Sequence, residues 1–222
     1  MKKKKISKKS ILIIGMGRFG LHLALKFLEL GNTVMAVDSQ EKIIENLPPI
    51  IQNVMIADCT SEKVLESLGV SNFDLCFVTI GDNFEACLVI TSLLKSIKAK
   101  HIIAKASSNM QIDILKKIGA NEVIYPERDL ANKTAIRFNF DNILDFTSIS
   151  QDYAIYDLVV PFDWVGKTVG DINIRQKYGI NILGVKKGSQ LYSLPGALYC
   201  FGADDILVVM AKLDSIEQLA IN

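Results

Sequence analysis

The sequence predicts an α/β protein: a doubly wound parallel sheet followed by a small α+β C-terminal domain. Three observations carry this. Between residues 10 and 124, short β-branched runs that are apolar almost throughout alternate with longer stretches of helical period. Strands of that kind belong to a parallel sheet covered by helices on both faces. The first strand-to-helix turn reads Gly15-Met16-Gly17-Arg18-Phe19-Gly20. Beyond residue 139 the alternation gives way to short strands and a hairpin signal.

Taken in order, residues 10–14 (Ser-Ile-Leu-Ile-Ile) form the first predicted strand and 19–30 the first helix, closed by Gly31. Strand 33–37 is followed by helix 41–47, which Pro48-Pro49 stops. Strands at 53–57, 74–79, 101–104 and 122–124 alternate with helices at 62–68, 84–97 and 110–118. Gly69 and Gly119 end the first and last of those helices. Six β–α units in about 125 residues is the size of one doubly wound domain. Asn139-Phe140-Asp141-Asn142 and the polar stretch 148–152 read as a boundary. The domains are therefore expected at 10–138 and 153–222, with a basic tail at 1–9 and a linker at 139–152. The second domain is expected to hold strands at 153–160, 180–185, 190–193 and 205–210, a short helix around 170–175, and a hairpin at Lys187-Gly188-Ser189. These last 70 or so residues bury little surface alone, which favours pairing with a second copy.

Composition narrows the function. The chain has 222 residues, half of them hydrophobic, with a formal net charge of +1. A real core is available without staples, and neither a disordered chain nor a nucleic-acid-binding tail has this balance. Cys59, Cys76, Cys87 and Cys200 form no C-x-x-C pair and sit in apolar segments, as reduced cytosolic thiols do. His22 and His101 are the only imidazoles, which disfavours zinc sites and His-based catalysis. The opening MKKKKISKKS lacks a signal peptide's apolar core and cleavage site and reads as a solvated tail, contact with anionic lipid or an acidic partner being the alternative. No run reaches the roughly 18 apolar residues of a membrane span.

The glycine turn carries the chemistry. It follows a strand, opens a helix, and is succeeded by Asp38 at the end of the next strand, eighteen positions after Gly20. That is the full context of the Rossmann-like nucleotide fingerprint. Gly15 permits the tight turn, Gly17 lets a pyrophosphate approach the backbone, and Gly20 lets the helix pack closely on the sheet. Asp38 accepts from ribose hydroxyls, and no Arg closely follows it, which argues against a 2′-phosphate. Arg18 has two readings, a phosphate clasp or a solvated helix-start residue. Asp58-Cys59-Thr60 and Thr79-Ile80-Gly81-Asp82-Asn83 follow the third and fourth strands, at the edge where such folds bind ligands. Asp58 suits an adenine amino group and Ile80 and Gly81 a base or sugar, while Thr60, Ser61, Asp82 and Asn83 equally suit helix capping. Pro126-Glu127-Arg128-Asp129 reads by itself as a helix start. No nucleophile elbow, H-E-x-x-H, P-loop or helix-turn-helix is present. A nucleotide is bound without visible means of consuming it, and the alternatives are an NAD-dependent oxidoreductase or an NADH-sensing transcription factor.

The motifs GMGRFG, AVD, IADCT, VTIGDN, AKA, IGANEVIYPERD and DINIRQKYGINILGVKKG resemble the regulator-of-potassium-conductance (RCK) family. They are most similar to the cytosolic gating subunits of Ktr/Trk-type potassium uptake systems, from about Ser10 to the C-terminus. The resemblance implies a non-catalytic subunit at the inner face of the cell membrane, a homodimer assembling into an octameric ring on a membrane-embedded potassium channel subunit, with no nucleic-acid partner. It implies ATP or ADP, in some members NAD(H), in the N-terminal lobe. By motif, Gly15, Gly17 and Gly20 hold phosphates, Asp38 the ribose and Asp58 the adenine region, with Phe19, Cys59 and Thr60 also counted among the nucleotide-binding residues. Arg18 reads the γ-phosphate across the dimer interface, Lys105 lies near the same site, and Glu127 helps place a divalent cation, Mg2+ or Ca2+. The C-terminal lobe is similar to one that binds cyclic di-AMP between two copies. There Arg175 pairs with a phosphate, Asn181 with a base edge, and Ile174 and Pro195 pack on the ring, while Gly170 stands where an aliphatic residue is expected.

Overall fold

The computed structural model describes residues 8–150 and 152–220, so positions 1–7 of the expected basic tail lie outside the described residues. The chain divides into two compact units between Arg128 and Asp129.

The first unit runs β1 (Ser10–Ile14), α1 (Arg18–Glu29), β2 (Thr33–Asp38), α2 (Glu41–Glu45), β3 (Asn53–Ile56), α3 (Glu62–Ser67), β4 (Leu75–Val78), α4 (Phe84–Ser96), β5 (Ile102–Lys105), α5 (Asn109–Ile118) and β6 (Glu122–Ile124). The strands form one parallel sheet in the order β3-β2-β1-β4-β5-β6, as expected of a doubly wound domain. Strand β1 is central, with Ile11 opposite Val34 of β2 and Leu75 of β4. Its uninterrupted apolar run follows from burial on both faces. Leu12 and Ile14 enter one core with Leu65, Leu94 and Leu115. Ile11 and Ile13 enter another with Ala24 and Ile44. Each fully buried side chain of this size contributes about 1.5–3 kcal/mol. Asn83 caps α4 by accepting from the Ala86 N–H at 3.0 Å.

Three of the four cysteines lie in this unit and are buried, while Cys200 of the second unit is exposed. Burial pushes the Cys59 and Cys76 thiols up to about 12 and that of Cys87 to about 11. A chromogenic disulfide at pH 8 is therefore expected to titrate one thiol in the native chain and four in denaturant. Because the folded thiol values lie above the unfolded one, their contribution is fully present below about pH 8.5 and is lost as pH rises toward the folded values. The melting temperature of the first unit should fall progressively over that alkaline window.

Helix α6 (Pro126–Asn139) starts in the first unit, and the division falls within it, earlier than the expected domain limit at 138. No residue of α6 is buried; Ile136 packs against the core of the second unit. That unit continues with β7 (Ile143–Ser148), β8 (Tyr153–Val159), α7 (Val169–Ile172), α8 (Ile174–Tyr178), β9 (Asn181–Lys187), β10 (Gln190–Ser193), β11 (Ile206–Lys212) and α9 (Leu213–Ala220). Its sheet is antiparallel in the order β10-β9-β11-β8-β7, over a core that includes Trp164, Ile180, Phe201 and Leu207.

Three expectations are corrected. The segment 139–152 is not simply a linker: β7 pairs along β8 from Ile143 opposite Leu158 to Ser148 opposite Ala154. The single helix at 170–175 is two short ones, broken where Asn173 takes φ +49°. Helix α9 was not foreseen; it follows β11 directly and buries Ile216 and Leu219. At the other edge of the sheet all four residues of β10 are exposed, and the strand stops at Leu194, which has φ +50°, and Pro195. No helix among the described residues is long and apolar enough to cross a membrane.

Candidate nucleotide cleft

The carboxyl ends of β1 to β4 open into a cleft of about 640 Å³, a volume typical of small-molecule sites. The glycine turn forms its floor. Gly15 has φ +99°, donates its N–H to the Val37 carbonyl at 2.8 Å, and would bring a Cβ to 3.0 Å from the Ile80 nitrogen. A side chain is excluded there by both conformation and space. Gly17 is the N-cap of α1, and a Cβ on it would meet nothing within 4 Å. Gly20 is the reverse: a Cβ would lie 2.1 Å from the Gly15 carbonyl oxygen and 2.9 Å from Thr79 Oγ1. The Thr79 hydroxyl donates to that same carbonyl at 2.5 Å, tying the end of β4 to the turn.

Asp38 is 8% exposed and braces the turn from β2. Its Oδ2 accepts from the Met16 N–H at 2.7 Å and its Oδ1 from the Gln40 N–H at 2.9 Å. Each oxygen retains acceptor capacity toward the cleft. Asp58 closes a local turn, Oδ1 accepting from the Thr60 N–H at 2.9 Å and the Thr60 hydroxyl at 2.7 Å. Those bonds, the backbone one first, hold its carboxyl below the ordinary carboxylate range. Cys59 is 2% exposed and serves as wall; its raised thiol is no nucleophile. Ile80 and Gly81 line the opposite side.

Four carboxylates (Asp38, Asp58, Asp82 and Glu85) line the cleft, and among the described residues no Lys, Arg or His does. The cations stand beside it. Lys105 Nζ lies 2.5 Å from Glu127 Oε1, 6.0 Å from the centre of the Phe19 ring, and 3.5 Å from where a Cβ on Gly81 would sit. The hydrogen bond from Lys105 holds the Glu127 carboxyl below its usual range, with the charge of Arg18 adding to it. Arg18 opens α1, is exposed, and makes no hydrogen bond or ion pair among the described residues. So Gly15, Gly17, Asp38, Asp58, Cys59, Thr60, Ile80 and Gly81 converge on the cleft. Arg18, Phe19, Lys105 and Glu127 form a flanking cluster, and Gly20 lies behind the turn. Sequence reasoning missed Thr79 as a brace and the Lys105–Glu127 pair. His101 pairs with Glu122 at 2.9 Å, and neither it nor His22 lines the cleft.

In the second unit, Arg175 is exposed on α8, Asn181 opens β9 half-buried, and Pro195 is half-buried after β10. Ile174 is 4% exposed and belongs to the core. The hollow of this unit, about 520 Å³ between Trp164, Lys167, Asp171 and Lys177, includes none of those four. A Cβ on Gly170 would come 3.2 Å from the Ala197 carbonyl, which explains the absence of an aliphatic residue there.

Residues 11–126 match the TrkA-N domain and 155–220 the TrkA-C domain. The chain is 35% identical to Ktr system potassium uptake protein C of Bacillus subtilis (strain 168), over 95% of this chain and 96% of the relative. It belongs to the Ktr potassium-uptake protein family. The Ktr-family chain is also 32% identical to Ktr system potassium uptake protein A of the same organism, over 96% of each. Among solved structures it is similar to a GsuK channel bound to NAD, with a TM-score of 0.67 and 21% identity. That match covers 99% of this chain and 40% of the channel's, so the Ktr-family chain spans less than half of that relative and shares its fold. The resemblance carried by the sequence motifs thus holds at the level of family and fold.

Proposed function

We propose that this Ktr-family chain is a non-catalytic regulatory subunit that gates a potassium-uptake channel according to the adenine nucleotide in its cleft. The observation that carries the reading is the contrast among the three glycines: two are crowded by backbone, and Gly17 leaves the N-terminus of a twelve-residue helix open to the cleft. Free amides and the helix dipole at such a terminus hold phosphate. Asp38 then takes the ribose hydroxyls, Asp58 and Thr60 the adenine region, and Ile80 and Gly81 the base and sugar. ATP and ADP differ by one phosphoryl group, so telling them apart calls for a cation not already neutralised. Arg18 has that character, and in this reading it reaches the third phosphate of a nucleotide held by a second copy. NAD(H) is a further proposed ligand of the cleft; the fold-related GsuK channel has been solved bound to NAD.

The membrane-embedded channel subunit, the homodimer, the octameric ring and a place at the cytoplasmic face of the membrane belong to this proposal, supported by the potassium-uptake relatives. A divalent cation at Glu127, Mg2+ or Ca2+, does not fit one chain alone. Among the described residues no three His, Cys, Asp or Glu side chains converge, and the Glu127 carboxylate is held by Lys105. No step of sensing is assigned to that cation. In the second unit we propose cyclic di-AMP between two copies, with Arg175 on a phosphate, Asn181 on a base edge and Pro195 against the ring. Ile174, being core, shapes the surface from beneath.

Titration of ATP, ADP, NADH and cyclic di-AMP with assembly mass measured alongside tests the reading. Nucleotide-dependent mass without NADH consumption is expected; hydride turnover would favour an oxidoreductase instead. Arg18→Ala should weaken ATP about tenfold, as loss of a charge-assisted phosphate bond does, and leave ADP within about twofold. Equal loss of both nucleotides would remove the role assigned to Arg18.

A further inference from the structure

We infer that the amino edge of the first unit's sheet, opposite the cleft, is a docking face for the anionic headgroups of a membrane surface. The face is separate from the nucleotide cleft and does not depend on what binds there.

A parallel sheet sorts its connections: strands begin and helices end on the edge away from the cleft. On that edge Lys8 and Lys9 precede β1, Lys95 and Lys98 lie at the end of α4, and Lys116 and Lys117 in the last turn of α5. All six are exposed, and none makes an ion pair among the described residues. A Cβ on Gly119 would come 2.7 Å from Lys95 Cγ, so the ends of α4 and α5 abut. Ser10, next to Lys9, donates its N–H to Asp74 Oδ2 at 2.9 Å, and Lys100 donates to Asp74 Oδ1 at 3.2 Å. The row therefore follows the starts of β1, β4, β5 and β6, which strand spacing makes roughly 15 Å long. Among the described acids of this edge, Glu29, Asp74 and Glu122 are taken by Lys26, Lys100 and His101 at 2.8, 3.2 and 2.9 Å. Glu45 and Glu66, in the last turns of α2 and α3, are the unpaired ones. Six free cations against two free anions is a local excess in a chain whose formal net charge is +1. The four carboxylates of the cleft gather at the opposite edge.

Helix dipoles account for Lys95, Lys116 and Lys117, each at a negative helix end. They do not account for Lys8 and Lys9, which belong to no helix. Lys98 is the telling one. Helices α1, α3 and α5 close on Gly31, Gly69 and Gly119, with φ +82°, +63° and +125°, whereas α4 closes on Lys98 with φ +60°. Glycine takes that left-handed backbone freely and a side chain does not. A second cation beside Lys95, held at a conformational cost, serves what lies outside the chain. Neither hollow described above includes any of the six. A row of ammoniums on long stems, with no arginine fork, fits a plane of diffuse negative charge rather than one specific carboxylate or base edge. Four more lysines, at positions 2–5, precede Lys8 in the sequence. Docked by this edge, the cleft opens away from the membrane.

The test is co-sedimentation of the full chain with vesicles of phosphatidylcholine alone, or of phosphatidylcholine and phosphatidylglycerol at about two to one, in low and high salt. Binding is expected to the mixed vesicles only, and to be lost in high salt. Lys98→Gly should weaken it about fivefold while holding or raising the melting temperature. Adding Lys116→Gln and Lys117→Gln should bring the loss to about a hundredfold. Lys63→Gln, at an exposed position in the first turn of α3 on the cleft edge, should stay within about twofold. Undiminished binding by the triple variant overturns the docking face, even where removal of residues 2–5 abolishes binding. An equal loss in Lys63→Gln reduces the effect to net charge and overturns it as well. Equal binding to phosphatidylcholine alone overturns the electrostatic surface. Absence of vesicle binding overturns the proposal outright, and retention on polyglutamate or duplex DNA would then assign the lysines to an acidic protein or to nucleic acid.

Discussion

Gly20→Ala should lower the melting temperature of the first unit by about 10 °C, while Gly17→Ala leaves melting unchanged and abolishes nucleotide binding. The two exchanges add the same methyl group three residues apart. At position 20 that methyl would lie 2.1 Å from the Gly15 carbonyl oxygen, an atom already held by the Thr79 hydroxyl at 2.5 Å. The Gly15 carbonyl is backbone and cannot yield, so α1 must move off the turn, an overpacking cost of about 3 kcal/mol. At position 17 the methyl meets nothing within 4 Å and the backbone has φ −62°, so folding is untouched. The space it fills is the approach of a phosphate to the helix N-terminus. Two charge-assisted N–H bonds denied there correspond to a loss of about 100-fold or more in ADP affinity. Unimpaired ADP binding in Gly17→Ala would show that the phosphates go elsewhere.

Asp38→Ala is expected to be nearly as damaging and to act on fold and ligand together. The substitution removes the acceptors of the Met16 and Gln40 N–H groups and leaves a buried donor in the glycine turn, for about 3 kcal/mol of destabilisation. The turn slackens, so affinity for pyrophosphate should fall in step with that for ADP. A differential scan with paired titrations of ADP and pyrophosphate checks this. Loss of ADP alone, with melting and pyrophosphate unchanged, would make Asp38 a ribose ligand only and not a brace.

What could be read in the sequence was local. The glycine turn, the acid closing β2 and the apolar run of β1 declare themselves because each is fixed by neighbours a few residues away or by burial on both faces. Strand β7 did not, since only Ile143 is buried within it and its support is the register along β8 rather than its own pattern. Helix α9 carried a signal in Leu213, Ile216 and Leu219, spaced by three, but it begins without a turn after Lys212 and so hides behind the preceding strand. In the cleft, Asp38 was visible as an acid at the right distance, yet its bond to the Met16 N–H has no signature, because every residue but proline carries that donor. Lys105 and Glu127 stand 22 positions apart and meet because β5 and α6 both reach the carboxyl edge of the sheet, a consequence of topology alone.

One detail of the second unit bears on how its ligand chemistry can be probed. The margin formed by β10 is uncharged, with Gln190, Leu191, Tyr192 and Ser193 exposed at the edge of the sheet, and it ends where Leu194 takes φ +50° ahead of Pro195, which has no N–H. Bare strand margins recruit other chains unless something interrupts them. Pro195 is thus a guard of solubility as well as a proposed neighbour of a bound ring. Replacing it would return an N–H beside the bare margin, so a variant at this position should be judged first by what sediments.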